Sequence, residues 1–189
     1  MLARGANPNA TSIFNETALS FAIREGTMKV VKKLLELDMM DTSRGDLLHC
    51  SVQREASSDT AELIDRMILK KNAQVDAYEY DNDIAGQWRY GFPLGTPLHI
   101  PCEMTNITAV EALFRHGANA HQLKKQCNDF VPPTPLELAT DKPDLLELLF
   151  EGTGNHEQIE NMHYPFLNNS IPPFASSHSC MIRYLYSRM

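Results

Sequence analysis

The sequence lacks what several common functions require. It has no Lys/Arg cluster, and the chain is acidic, with a net charge of −7 and a pI of about 5.4. Without a basic patch there is no electrostatic footprint for nucleic acid or an anionic membrane surface. No apolar run approaches the roughly 18 residues that a membrane-spanning helix needs. The start, MLARGANPNA, has no basic region followed by an apolar stretch, so no signal peptide is expected. Cysteine is sparse: Cys50, Cys102, Cys127 and Cys180, never spaced as CxxC. That usage is no disulfide framework, and reduced thiols predict a cytoplasmic or nuclear location. The Asn-X-Ser/Thr sequons at Asn9, Asn15, Asn106 and Asn168 are then chance matches. Missing too are the Gly-Lys-Ser/Thr phosphate cradle and the Gly-x-Ser-x-Gly elbow. No motif marks an enzyme, and no cofactor is expected.

What is present is ordinary globular composition, 43% hydrophobic and 22% charged, and an internal repeat. TPLH at Thr96–His99 is followed, 21 residues after its Thr, by Gly117-Ala118-Asn119. TALS (Thr17–Ser20), DLLH (Asp46–His49) and TPLE (Thr134–Glu137) are variants of the same opening. Aligned on it, Leu19, Leu48, Leu98 and Leu136 form one column. Ala22, Ser51, Pro101 and Ala139 form a mostly small one. Leu34, Ile68, Leu113 and Leu148 form a third, beside Leu35, Leu69, Phe114 and Leu149. The units end at Asp38, Asn72, Gly117 and Gly152.

Each column has a physical reason. Thr96 is suited to cap a helix whose first turn accepts Pro97. The column of Leu points inward, and the small column lets the next helix approach. Val30-Val31 and Leu34-Leu35 recur at i and i+4, the core stripe of a second helix. Asn72 or Gly117 ends that helix in the left-handed conformation. One such helix pair cannot bury its own apolar face, but stacked neighbours can.

These residues resemble the ankyrin repeat, over about residues 1–152. The resemblance implies an all-α solenoid of stacked helix-turn-helix units with projecting loops, and protein binding rather than catalysis. The expected divisions are a partial repeat at 1–10, repeats at about 11–42, 43–77, 95–127 and 128–152, and an insertion at 78–95. Three departures stand out. The second unit, from Asp46 to Asn72, is five residues longer than Thr96 to Gly117, so Arg54–Thr60 is expected to loop out. The last unit, Thr134 to Gly152, is three residues shorter. Pro101 is expected to kink or shorten its helix.

Leu2–Asn9 match only the closing loop of a unit. Phe14, Phe21 and Val30-Val31 are therefore expected to have an uncovered flank, with further repeats N-terminal to this chain. The insertion carries Tyr78, Tyr80, Trp88, Tyr90 and Phe92. These aromatics either pack back on the stack or contact a partner, since insertions in repeat proteins map to one face. Residues 153–189 lose the repeat and read as an irregular tail, with one helix expected near Cys180–Tyr186. Phe174–Cys180 does not supply a ubiquitin-ligase adaptor box.

Metal sites find little support. His49 and His99 occupy equivalent positions in successive units, too far apart for one zinc ion. They are expected to hydrogen-bond backbone groups of the turns, while His116 and His121 face solvent. Asp81-Asn82-Asp83 followed by Gly86 begins like a calcium loop, but the fifth and twelfth positions are Ala85 and Phe92. Glu25, Lys29, Lys32, Lys33 and Glu36 form a solvated face. The function expected is recognition of another protein by the repeat loops and first-helix surface. The candidate contacts are Asn15, Glu16, Arg44, Tyr80, Asp81, Asp83, Trp88, Tyr90, Phe92, Asn128 and Asp129, with a basic partner surface favoured by the acidic insertion. The alternatives are a regulatory or targeting fragment of a larger multidomain enzyme, or a decayed repeat fragment.

Overall fold

The computed structural model describes residues 5–12, 15–81, 94–125 and 132–153. All belong to one compact unit, Met1–Gly154; the second unit, Asn155–Met189, and with it the tail and its expected helix, lies outside the described residues.

The helices come in pairs: α1 (Ala18–Glu25) with α2 (Met28–Leu35), α3 (Leu47–Val52) with α4 (Ser58–Lys71), and α5 (His99–Met104) with α6 (Ile107–Arg115). A 3-10 turn at Glu137–Ala139 precedes α7 (Pro143–Thr153). First elements stack on first elements, α1 on α3 on α5 on the 3-10 turn, and α4 packs on α6 and α6 on α7. The chain is thus the all-α stack of paired helices expected from the repeat.

The turn that opens each unit explains why the pairs recur. Ser20 N–H donates to Thr17 Oγ1 at 2.9 Å, and Thr17 N–H donates to Ser20 Oγ at 2.8 Å. Thr134 and Glu137 make the same reciprocal box: Thr134 N–H donates to Glu137 Oε2 at 2.7 Å, and Glu137 N–H to Thr134 Oγ1 at 3.2 Å. Such boxes satisfy donors that no helical carbonyl can reach. In the third unit the ring of His99 takes the role, accepting the Thr96 N–H on Nδ1 at 2.9 Å. The helix therefore starts at His99, later than the Thr96 cap expected from the sequence. Pro101 falls in its first turn, where a missing N–H leaves no intrahelical carbonyl unpaired. The result is a short helix.

Leu19, Leu48, Leu98 and Leu136 are buried in one continuous core, as are Val31, Leu35, Leu113, Leu145 and Leu149. Burying a side chain of this size stabilises by about 1.5–3 kcal/mol. The register of the second helix in unit two differs from expectation. Leu69 is 68% exposed, whereas Leu63, Ile64 and Met67 are fully buried. Most of the extra residues of this unit extend α4 to 14 residues, so Ser58, Asp59 and Thr60 are helical and only 53–57 link the pair. Ser57 caps α4 through the Thr60 N–H at 3.2 Å.

Two of the four unit ends differ from the expected positions. Asn72 (φ 54) and Gly117 (φ 80) are left-handed as expected. At Gly117 the Ala118 N–H reaches Leu113 O at 3.2 Å, the Schellman closure. Glu36, not Asp38, caps α2 and is right-handed, while Gly152 lies inside α7. Of the expected uncovered flank, Phe21 (57%) and Val30 (47%) are exposed, but Val31 is fully buried, and Phe14 lies outside the described residues.

Polar side chains stitch the joints between helices of successive units. Arg54 donates to the Gly26 carbonyl at 3.0 Å and to the Ile23 carbonyl, capping the end of α1. Asn106 caps α6 through the Ala109 N–H at 3.1 Å, and its amide donates to Arg54 O at 2.9 Å. Lys142 donates to Cys102 O at 2.6 Å, at the end of α5. Cations are favoured at helix C-termini, where carbonyls lack partners.

Candidate interaction surface

The described candidate residues fall into three places. Asn15 and Glu16 share a small hollow with Arg24, Asp46, Glu79 and Tyr80. Asn15 holds a left-handed turn (φ 58), and Glu16 pairs with Arg24 at 2.7 Å. Arg44 stands elsewhere, 56% exposed on the rim and paired through Nε with Asp41 at 3.1 Å. Tyr80 and Asp81 belong to the stem of the insertion. Asp83, Trp88, Tyr90, Phe92, Asn128 and Asp129 lie outside the described residues.

The stem is clamped from both sides. Glu79 N–H donates to Gly95 O at 3.0 Å, joining the two ends of the insertion. Tyr80 N–H donates to Asp46 Oδ2 at 3.3 Å. Asp46 occupies the turn position held by Thr in the other units, but its carboxylate caps no helix of its own. It holds the stem instead. On the far side Lys125 N–H donates to Leu94 O at 2.8 Å, and its ammonium pairs with Asp81 and lies 5.0 Å from the Tyr78 ring centroid. Tyr78 O–H donates to Leu123 O at 2.9 Å. The stem tyrosine thus packs back onto the stack. Asp81, counted in the sequence as negative charge for a basic partner, is neutralised by Lys125.

Glu79 was not among the candidates. Burial, then the neighbouring Asp46 carboxylate, raises its pKa to about 7. The signal in the sequence was its position: an acid between two tyrosines at the root of the longest connection.

The histidines serve the turns. His49 Nε2 donates to Gly95 O at 3.3 Å, crossing from unit two to unit three. His99 Nε2 is buried, closes no hydrogen bond of normal geometry and faces the Pro133 carbonyl, the corresponding group of the next unit. Burial lowers both rings to about 4, so they are neutral. His121 is exposed as expected, but His116 pairs with Asp65 at 2.8 Å and is mostly buried. Cys50 and Cys102 are buried thiols, each raised to about 12 by burial, and thus poor nucleophiles. Among the described residues no cluster of His, Cys, Asp or Glu is arranged to hold a metal ion.

Comparison with solved structures gives 87 matching chains. One is the crystal structure of the ankyrin repeat domain of Bcl-3, a member of the IkappaB protein family, with a TM-score of 0.53 and 21% identity. The likeness covers 80% of this chain and 60% of that domain. This chain has the ankyrin-repeat fold. No protein-family model matches it, and neither does any curated protein. The ankyrin-repeat stack therefore rests on geometry and on turn motifs, and the chain spans 60% of the Bcl-3 domain's length.

Proposed function

We propose that this ankyrin-repeat chain is a protein-binding module that recognises its partner with the rim of its loops, the first-helix surface and the aromatic insertion. The observation that carries the reading is the clamped stem. Asp46, Gly95 and Lys125 fix both ends of a segment whose sequence holds Trp88, Tyr90 and Phe92. Anchoring the ends before a partner arrives reduces the ordering entropy lost on binding. Large aromatic side chains are the residues that most often dominate such interfaces. Asn15 and Glu16 on the hollow, Arg44 on the rim, and Asp83, Asn128 and Asp129 complete the proposed contact set. The cytoplasm or nucleus suits the two buried thiols.

The test uses the full chain immobilised as bait in a cell extract, beside Trp88→Ala/Tyr90→Ala. Retention of a specific protein by the wild type, lost in the variant at an unchanged melting temperature, is the expected result. A variant that melts several degrees lower yet keeps its partner would assign the aromatics to packing. Absence of any specific protein on the wild-type bait would overturn the reading.

A further inference from the structure

Successive ankyrin loops are strapped together at two joints. Asn9 bridges to the loop of unit one, donating to Met39 O at 2.7 Å and accepting the Asp41 N–H at 2.8 Å. Asp76 accepts the Asn119 N–H at 3.0 Å, joining the loops of units two and three. Among the described residues, no such strap joins the loops of units one and two. Asp41 turns back to Ser43 (2.6 Å) and Arg44, and the Gln74 amide donates to Asn72 O at 3.4 Å within its own loop. Among the described residues, no hydrogen bond joins 42–45 to 72–77.

The gap is a cleft of about 280 Å³. Its lips carry exposed Ser43 and Gln74, with Arg44 on one side and Lys71 on the other. Its base is Leu48, Met67 and neutral His49, all buried. The one carboxylate on its wall, Asp46, is engaged with the Tyr80 N–H. Cavities for whole small molecules run from roughly 300 to 1,000 Å³, so this one suits side chains of an inserted peptide better than a cofactor. Lys71, together with an Arg44 guanidinium held through its Nε by Asp41, stands over a neutral apolar base and favours an anionic group with an apolar neighbour.

We infer that the partner protein inserts an extended segment into this cleft, with the carboxylate of an Asp or Glu between Arg44 and Lys71 and an adjacent apolar side chain on the Leu48–Met67 base. The inference rests on the protein-binding reading and assigns the surface and charge of its ligand. The inserted backbone takes the place of the missing strap.

The test is a titration of the isotopically labelled full chain, followed by amide chemical shifts. The probes are three short peptides, identical except for a central Glu, Gln or Lys flanked by Val and Leu. The Glu peptide is expected to shift amides of 42–49 and 71–77 and to bind about tenfold tighter than the Gln peptide, as one charge-assisted hydrogen bond provides. In Arg44→Glu/Lys71→Glu the preference should pass to the Lys peptide. If that variant loses its dispersed spectrum, the milder Lys71→Gln is used, and the Glu preference should fall at least about threefold. Shifts centred on Glu16, Arg24 and Glu79 would overturn the cleft while leaving the protein-binding reading intact. Equal binding of the three peptides, or none, would overturn the cleft as well; the bait experiment decides the wider reading separately.

Discussion

At the joint between units two and three, Asp76 holds the Asn119 N–H across the loops; at the joint between units one and two, Asp41 binds its own loop instead. The helical layers at the two joints do not differ in this way. α1 packs on α3 as α3 packs on α5, and a polar tie crosses each joint, Arg54 to the end of α1 and Asn106 to the end of α3. Apolar burial is non-directional, so any two greasy faces of matching shape close up. A loop strap needs one acceptor at hydrogen-bond distance from one donor. A stack can therefore be continuous in its core and open at its rim, and an open rim is where a ligand has room.

Substitutions can break or sharpen that contrast. Leu63, fully buried on α4, belongs to the continuous core. Leu63→Ala should cost about 2–5 kcal/mol in urea unfolding, the range for a buried leucine. Acid should act next, through the buried rings of the turns. His49 and His99 have folded pKa values of about 4 against an ordinary 6.5, so the unfolded chain binds more protons between those values. Their contribution is complete above pH 6.5 and is lost as pH falls toward 4, on the order of 3 kcal/mol for each ring. Glu79 opposes them. Raised from 4.5 to about 7, it favours the native state below pH 4.5 and loses that contribution as pH rises through 7. Glu79→Gln should thus steepen the drop in urea midpoint between pH 6.5 and 4.5.

A smaller effect should open a second gap. Asp76→Ala removes the strap between units two and three and should cost about 1 kcal/mol, with faster hydrogen exchange at the Asn119 amide. Exchange at Asn119 unchanged from wild type would mean that the strap does not close that joint. Least of all, Leu69→Ala should stay within about 0.5 kcal/mol, because the side chain is exposed. A loss there comparable to Leu63→Ala would return α4 to the register that sequence alignment favours.

The sequence was legible wherever a position repeats. Leu19, Leu48, Leu98 and Leu136 share one offset from the turn, and all four are buried. The turn histidines were legible for the same reason. Leu69 was misassigned because unit two is longer than its neighbours: counting from the turn does not reveal that most of the added residues lengthen α4 and move the buried face to Leu63, Ile64 and Met67. His116 was misassigned because its partner, Asp65, is 51 residues away in sequence. Of the candidate surface, only the rim and the stem were visible in advance, as turn residues and an unusually long connection. Glu79, Lys71 and the cleft were not, since each depends on which loop lies beside which.

By itself the sequence determined that helical hairpins recur, that their leucines face one core, and that an aromatic segment interrupts the series. Those are consequences of local periodicity and of turns that satisfy their own donors. Only the tertiary structure decided which joints are strapped, where α4 turns its buried face, and that Asp46 holds the insertion rather than its own helix. Such choices depend on contacts between residues distant in the chain, and no spacing along one strand of sequence encodes their distances.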